Sequence, residues 1–317
     1  MRQRAGVLRV PRAGRIAESG SRRVVYVALA GNVAIAVAKF GAFGLSGSSG
    51  LLTEAIHSLV DSIDQLLLLV GQQRARRPPS AAHPFGHGME AYFWSFIVAI
   101  MVLLLGATAS VLEGVHRLRV PATITSSGIS FGVLAIAALF EGISFSVGLR
   151  EYRRVVKGRP VGLWNFIRLS KDPSLYGSLL EDAVALIGVG IAAVGLCGAS
   201  VFHIAAADGA ASIAIGLLLG VMAVILGNET RSLIAGEAVS PPVMKRIRQL
   251  VSADDRVADV LEIGTLHLGP EAILVALTLS FKPDMTVHRL EKTIRELTAA
   301  MQQADGRIAY VYVRPAG

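Results

Sequence analysis

The stretch LLTEAIHSLVDSIDQLLLLVG, Leu51–Gly71, decides how the rest of the chain is read. As an α-helix its 21 residues rise about 30 Å, the thickness of a bilayer's hydrocarbon core. Most are apolar, yet His57, Asp61 and Asp64 stand near the middle. At helical periodicity His57 and Asp61 are one turn apart, and Asp64 follows three residues later on the same stripe. An ionisable side chain at that depth costs several kcal/mol or more, so such residues mark a task. An imidazole and a carboxylate stacked on one face form half of a tetrahedral site for Zn²⁺ or a similar borderline cation. The plainer reading makes the three residues interhelical hydrogen-bonding glue.

Composition agrees with a membrane protein. Of 317 residues, 53% are hydrophobic and 17% charged, with a mean hydropathy of +0.56. A soluble domain carries about 25% charged residues. The net charge of +8 would suggest nucleic acid in a soluble protein. Here the arginines cluster between apolar spans, as membrane topology requires, and nothing resembles the basic–aromatic interleaving of a base-stacking surface. Nucleic acid is therefore not an expected partner. The single cysteine, Cys197, lies in an apolar run and is expected to be a small buried hydrophobe. The segment Met1–Arg23 holds seven arginines and lacks the apolar core and cleavage site of a signal peptide. It reads as a disordered cytoplasmic arm.

Six spans can be marked, at roughly 24–46, 51–72, 92–116, 127–149, 176–198 and 203–226. The connection after the second holds Arg74, Arg76 and Arg77; that after the fourth holds Arg150, Arg153, Arg154, Lys157, Arg159, Arg168 and Lys171. Those after the first and fifth have neither lysine nor arginine, and the third has only Arg117 and Arg119. Positive charge stays inside, so both termini are expected in the cytoplasm, as an even number of spans allows. Glu113 and Glu141 read as structural residues near span ends. Lys39, which shares the first span with Asn32, can snorkel or pair with a carboxylate. Asp208, among small residues at the start of the sixth span, reads as a packing or gating residue rather than a ligand.

From Gly236 the composition becomes that of a soluble domain. Ser240–Val251 has a helix start with Pro241 and Pro242. Val257–Leu268 and Ala272–Phe281 read as strands. Thr286–Gln303 reads as an amphipathic helix with Val287, Leu290, Ile294 and Leu297 on one face. Ile308–Val313 closes an αββαβ order, a small α+β domain of helices on a sheet. Alone it would be marginal, and docking against a twin would bury more surface. The expected organisation is a basic arm at 1–23, a six-helix transmembrane domain at 24–235 and a cytoplasmic dimerisation domain at 236–317.

A second half-site should lie on another helix, and the fifth span offers LYGSLLEDAVALIG, Leu175–Gly188. Asp182 stands one turn after Ser178, on the side of small residues that could approach the second helix. Glu181, adjacent and about 100° away, cannot face the same partner squarely. It suits a supporting, proton-carrying or cytoplasm-facing role.

Three motifs in this order resemble the cation diffusion facilitators, proton-coupled transporters of zinc and other divalent metals. They are Glu54-Ala-Ile-His-Ser-Leu-Val-Asp61, His83-Pro-Phe-Gly-His-Gly88 and Glu181-Asp-Ala-Val-Ala-Leu-Ile-Gly188. The resemblance covers about Val24 to Val313. It implies six transmembrane helices followed by a cytoplasmic ferredoxin-like domain, and a homodimer. It also implies that His57 and Asp61 bind metal together with Asp182. The family's remaining ligand, usually a histidine, falls on Ser178, a poor Zn²⁺ ligand. Asp64, Glu181 or a water are the other candidates for the fourth position. So oxygen-rich a set leaves Mn²⁺, Co²⁺ or Fe²⁺ open beside Zn²⁺ as the transported ion. His83 and His87 match a loop metal site of some relatives, but its aspartate is Ser80 here, and a turn at Pro84–Gly86 explains the pair equally well. In the soluble domain His267 and His288, with Asp284, promise at most a weak site.

The resemblance implies H⁺/metal antiport by alternating access in the bilayer of a bacterial-type inner membrane, with no cofactor and no enzymatic activity. A neutral imidazole must bind the metal, so loading expels protons and protons compete the metal off. No Gly-rich phosphate loop supports an ATP-driven pump. No His-Glu-x-x-His supports an intramembrane metallohydrolase. A non-transporting membrane sensor or scaffold, signalling through the C-terminal dimer, is the remaining alternative.

Overall fold

The computed structural model describes residues 18–120, 127–156, 162, 165–167, 171–283 and 285–316. Residues 1–17 of the basic arm, and Lys157, Arg159, Arg168 and Asp284, lie outside them. The chain divides into two compact units, one built on Ala30–Ser240 and the other on Pro241–Thr265 with Ala272–Gly317.

The first unit is helical: α1 (Glu18–Ser46), α2 (Ser49–Ala75), α3 (Glu90–Met101), α4 (Thr108–Arg119), α5 (Ser127–Val156), α6 (Pro173–Ser200) and α7 (Ala207–Ile234). A π-helical segment, Val102–Ala107, joins α3 to α4 without a break. There the Thr108 hydroxyl donates to the Leu103 carbonyl at 2.9 Å, five residues back. Among the described residues four helices are long and apolar enough to cross a membrane: Glu90–Arg119, Ser127–Arg154, Tyr176–Ser200 and Ala207–Ile234. The described apolar part of α1 is Gly31–Ser46, too short for that standard. In α2, Glu54, Asp61 and Asp64 interrupt the apolar run. The last helix begins at Ala207 rather than near 203, because His203 takes a left-handed turn at φ 54°.

Packing follows the small residues. A Cβ on Gly216 would meet the Ala107 carbonyl at 2.9 Å, and one on Gly114 the Gly209 carbonyl at 2.7 Å, so α4 and α7 touch backbone to backbone. Val102, Leu196, Ile215, Leu219 and Met222 fill the interior. Leu104, Leu112, Leu139, Val194, Leu217 and Val221 are exposed, an outward apolar surface suited to hydrocarbon. Cys197 is half-buried, not fully buried as expected, on the interior's edge.

The second unit has the element order αββαβ: α8 (Pro241–Ser252), β1 (Val257–Gly269), β2 (Ala272–Phe281), α9 (Val287–Ala304) and β3 (Ile308–Ala316). The three strands form a sheet in sequence order, with β2 and β3 parallel, from Ile273 opposite Ile308 to Ser280 opposite Ala316. Ile273, Val275, Leu277 and Leu279 alternate onto the buried face, with Leu297 and Met301 of α9 and Ile247 and Val251 of α8 also buried. Val287 is 73% exposed, against the expected helix face. It is the first residue of α9, after the Thr286 cap, and the buried stripe runs instead through Thr293, Leu297 and Met301. An Asp-x-Arg unit precedes both β1 and β3. Arg256 donates to Asp254 at 2.8 and 2.7 Å, and Arg307 to Asp305 at 3.0 and 2.7 Å. Each guanidinium holds its aspartate below the ordinary carboxylate range.

Candidate metal centre

The centre is built on α2, and its start is clamped. Ser48 caps the helix by accepting from the Leu51 N–H at 3.3 Å. The Asp208 carboxylate of α7 accepts from Ser48 Oγ at 2.6 Å, Ser49 N at 2.5 Å, Ser49 Oγ at 2.8 Å and Gly50 N at 3.2 Å. Ser212 adds a bond to Ser49 Oγ at 3.0 Å. Asp208 therefore satisfies amides that a helix N-terminus leaves without partners, and it places negative charge at the positive end of the dipole. The packing role expected from sequence is what it performs.

Two turns further on, His57 Nδ1 lies 3.2 Å from Asp61 Oδ1, with the two side chains 1% and 15% exposed. The pair is out of line for a hydrogen bond, and neither ring nitrogen has a hydrogen-bond partner. Asp61 Oδ1 and both carboxylate oxygens of Asp64 are likewise buried without a hydrogen bond. Each such orphan costs about 1–3 kcal/mol. Five of them on one stripe of one helix make an arrangement that a cation would satisfy.

The facing helix is α6, which packs on α2. Asp182 accepts from the Ser144 hydroxyl of α5 at 2.8 Å. Glu181 is half-buried and Ser178 exposed. Among the described residues no three His, Cys, Asp or Glu side chains converge as a group that could hold a metal ion. His57 and Asp61 are together; Asp182 is engaged by Ser144.

Sequence reasoning did not place two neighbours of Asp61 and Asp182. Asp61 opens on a narrow crevice lined by Asn32 and Ile35 of α1, Ser58 of α2 and Glu141 of α5. Glu141 is in the middle of α5 rather than near a span end. An acidic residue at that depth was the available signal. Ser144, one turn on, gave no signal by itself. Lys39 is taken by Glu54 at 2.9 Å, so of the two readings it pairs with a carboxylate rather than snorkels. Glu113 pairs with Arg117 along α4 at 3.5 Å.

In the loop after α2, the His83 and His87 rings lie with centroids 4.3 Å apart, tilted by 35°. Gly86, at φ +88°, closes the turn, its N–H donating to the His83 carbonyl at 3.0 Å. Ser80 Oγ accepts from the His83 amide at 3.1 Å. His267 is buried and His288 exposed.

These observations define a class: a helix bundle with an apolar exterior that buries an imidazole–carboxylate pair beside unpartnered acids. The family model described as the cation efflux transmembrane domain matches residues 25–235. The chain belongs to the cation efflux family, the cation diffusion facilitators, whose members are transporters and not enzymes. It is 28% identical over 287 residues to metal tolerance protein C4 of Arabidopsis thaliana, covering 90% of this chain and 63% of that protein. It is 30% identical over 250 residues to the mitochondrial proton-coupled zinc antiporter SLC30A9 of Homo sapiens, covering 79% and 44%. The manganese efflux system protein MneP of Bacillus subtilis is 22% identical over 305 residues, covering 94% and 97%. The chain spans about half the length of the first two.

Proposed function

We propose that this protein exports a divalent metal cation, foremost Zn²⁺, in exchange for protons, by alternating access across a bacterial-type inner membrane. The reading makes α1, α2, α3–α4, α5, α6 and α7 six spanning helices with both termini cytoplasmic. It makes residues 236–317 a ferredoxin-like domain that pairs with its twin in a homodimer. The observation that carries it is the buried stripe of His57, Asp61 and Asp64, whose polar atoms lack hydrogen-bond partners.

In this reading His57, Asp61 and Asp182 ligate the cargo, with Asp64, Glu181, Ser178 or a water completing the set. Loading requires a neutral imidazole and ionised carboxylates, so each cation taken up displaces protons. Asp182 accepts from Ser144 through Oδ2, and ligation through that oxygen would replace the hydrogen bond. His83 and His87 form at most a weak second site. Manganese stays in view beside zinc, since the names of relatives in this family carry both metals.

The test is Zn²⁺ and Mn²⁺ uptake into proteoliposomes under an imposed pH gradient, with Asp61→Ala and Asp182→Ala alongside. Gradient-dependent flux lost in both variants supports antiport at this centre. Flux that survives in either variant removes that residue from the site. No flux of any metal in the unmodified protein would transfer the chain to the sensor or scaffold class.

A further inference from the structure

The helical unit contains a lysine with no exposure at all. Lys39, on α1, is 0% exposed, and so is the Glu54 it pairs with. Its ammonium donates to Glu54 Oε2 at 2.9 Å, to Ser58 Oγ at 2.7 Å and, weakly, to the Glu54 carbonyl at 3.5 Å. All three acceptors belong to the one turn of α2 that carries His57. Glu54 lies three residues before the imidazole and Ser58 one residue after it.

The other oxygen of Glu54 faces α6. A Cβ on Gly188 would stand 2.5 Å from Glu54 Oε1, so the carboxylate fits there because residue 188 has no side chain. Glu54 is thus wedged between an ammonium on α1 and the bare backbone of α6. Three helices meet at the turn that presents His57.

A buried charged pair is a costly way to hold helices together, because desolvation cancels much of the attraction. Apolar residues of the same size would pack there at less cost, but they would not fix the rotation of a helix turn by three directed bonds. His57 needs such fixing: neither of its ring nitrogens has a hydrogen bond to set the ring's orientation. Groups that orient a metal's ligand typically change affinity or activity 10–100-fold when removed.

We propose that Lys39 is a positioning residue for the cation centre, bracing the Glu54–Ser58 turn so that His57 is presented in register with Asp61. Lys39 does not touch the cargo. It acts through α2, and Gly188 completes the device by admitting Glu54. The proposal rests on the reading of His57 and Asp61 as ligands of a transported cation.

The experiment measures Co²⁺ and Zn²⁺ binding to the full chain in detergent, by calorimetry and by the visible absorption of Co²⁺, beside Zn²⁺ flux in proteoliposomes. The variants are Lys39→Met, Ser58→Ala and Asp61→Ala. Lys39→Met should weaken binding by about 10–100-fold and shift the Co²⁺ spectrum as the ligand geometry relaxes. Ser58→Ala removes only the 2.7 Å bond and should move both readouts a smaller distance the same way. Ser58→Ala also serves where Lys39→Met does not fold. Unchanged affinity and spectrum in Ser58→Ala and in a folded Lys39→Met would overturn the proposal, whatever their thermal stability. Binding is read without flux. A protein that binds Co²⁺ through Asp61 but carries nothing would refute the transport reading while the spectra still judge Lys39. Absence of Co²⁺ and Zn²⁺ binding in the unmodified chain would sink both.

Discussion

Replacing Asp208 by alanine should destabilise the helical unit more than any other single change at the α2–α7 contact. The carboxylate accepts four bonds, two from hydroxyls and two from the amides of Ser49 and Gly50. The hydroxyls can turn elsewhere, and Ser49 already meets Ser212. The amides cannot, since they point out of the first turn of α2 and have no carbonyl to receive them. A hydrogen bond to a charged acceptor contributes about 1.5–3 kcal/mol, so losing the two amide bonds costs about 3–6 kcal/mol. Losing a negative charge at the helix's positive end adds about 0.3–1 kcal/mol. At about 2–4 °C per kcal/mol for a domain of this size, the unfolding midpoint should fall by about 7–28 °C. The assay is scanning fluorimetry of the detergent-solubilised protein at one fixed heating rate, because unfolding of such proteins is commonly irreversible. Ser212→Ala, which removes one hydroxyl proton shared between Ser49 Oγ and the Asp208 carbonyl and worth about 1 kcal/mol, is the internal scale. A midpoint for Asp208→Ala no lower than that of Ser212→Ala would refute the view that the carboxylate caps α2.

Other outcomes can be set beside it. Ser144→Ala frees an oxygen of Asp182 and should lower the KM for Zn²⁺ by about three- to tenfold, measured as initial flux in proteoliposomes. Gly216→Leu drives a side chain into the Ala107 carbonyl and the Val111 backbone, and should abolish the monodisperse peak in size-exclusion chromatography of the solubilised protein. In the second unit, Asp254 and Asp305 are held below the ordinary carboxylate value by Arg256 and Arg307. A folded-state pKa below the unfolded one stabilises at pH above the unfolded value near 3.8 and is lost as pH falls through the folded value. Hydrogen-exchange protection of the segment around Asp254–Val257, corrected for intrinsic rates, should therefore drop in that acid range, and Asp254→Asn should flatten the dependence.

The α2 stripe could be read from sequence because its geometry is local: residues three and four apart on a helix must share a face. The element order of the C-terminal unit was legible for the same reason, through its alternation on β2 and the caps of its helices. What sequence could not supply were partners brought in by packing. Asp208 is recognisable as an interior acid, but the amides it satisfies lie 159 and 158 residues earlier. Lys39 could have snorkelled; only the placement of α1 against Glu54 decides that it does not. Glu141 stands level with the centre because of how α5 docks, and Ser144 engages Asp182 for the same reason. Val287 carried the right periodicity and still faces outward, since a helix's first residue can overhang the sheet that the later turns cover.

The wide turn at Val102–Ala107 has a genetic consequence. Removing one residue from a membrane helix normally swings everything beyond it by about 100°, moving lipid-facing groups into the interior. Here the helix already holds one residue more than an α-helical turn needs. Leu103, Leu104 and Leu105 are exposed, so dropping one of them leaves the interior filled. The shortened chain can close as ordinary α-helix and keep Gly114 against Ile213 and Gly209. This span is thus a place where homologous chains can differ by a single codon and retain the same bundle, and a deletion scan should show a tolerant window at these leucines between intolerant flanks.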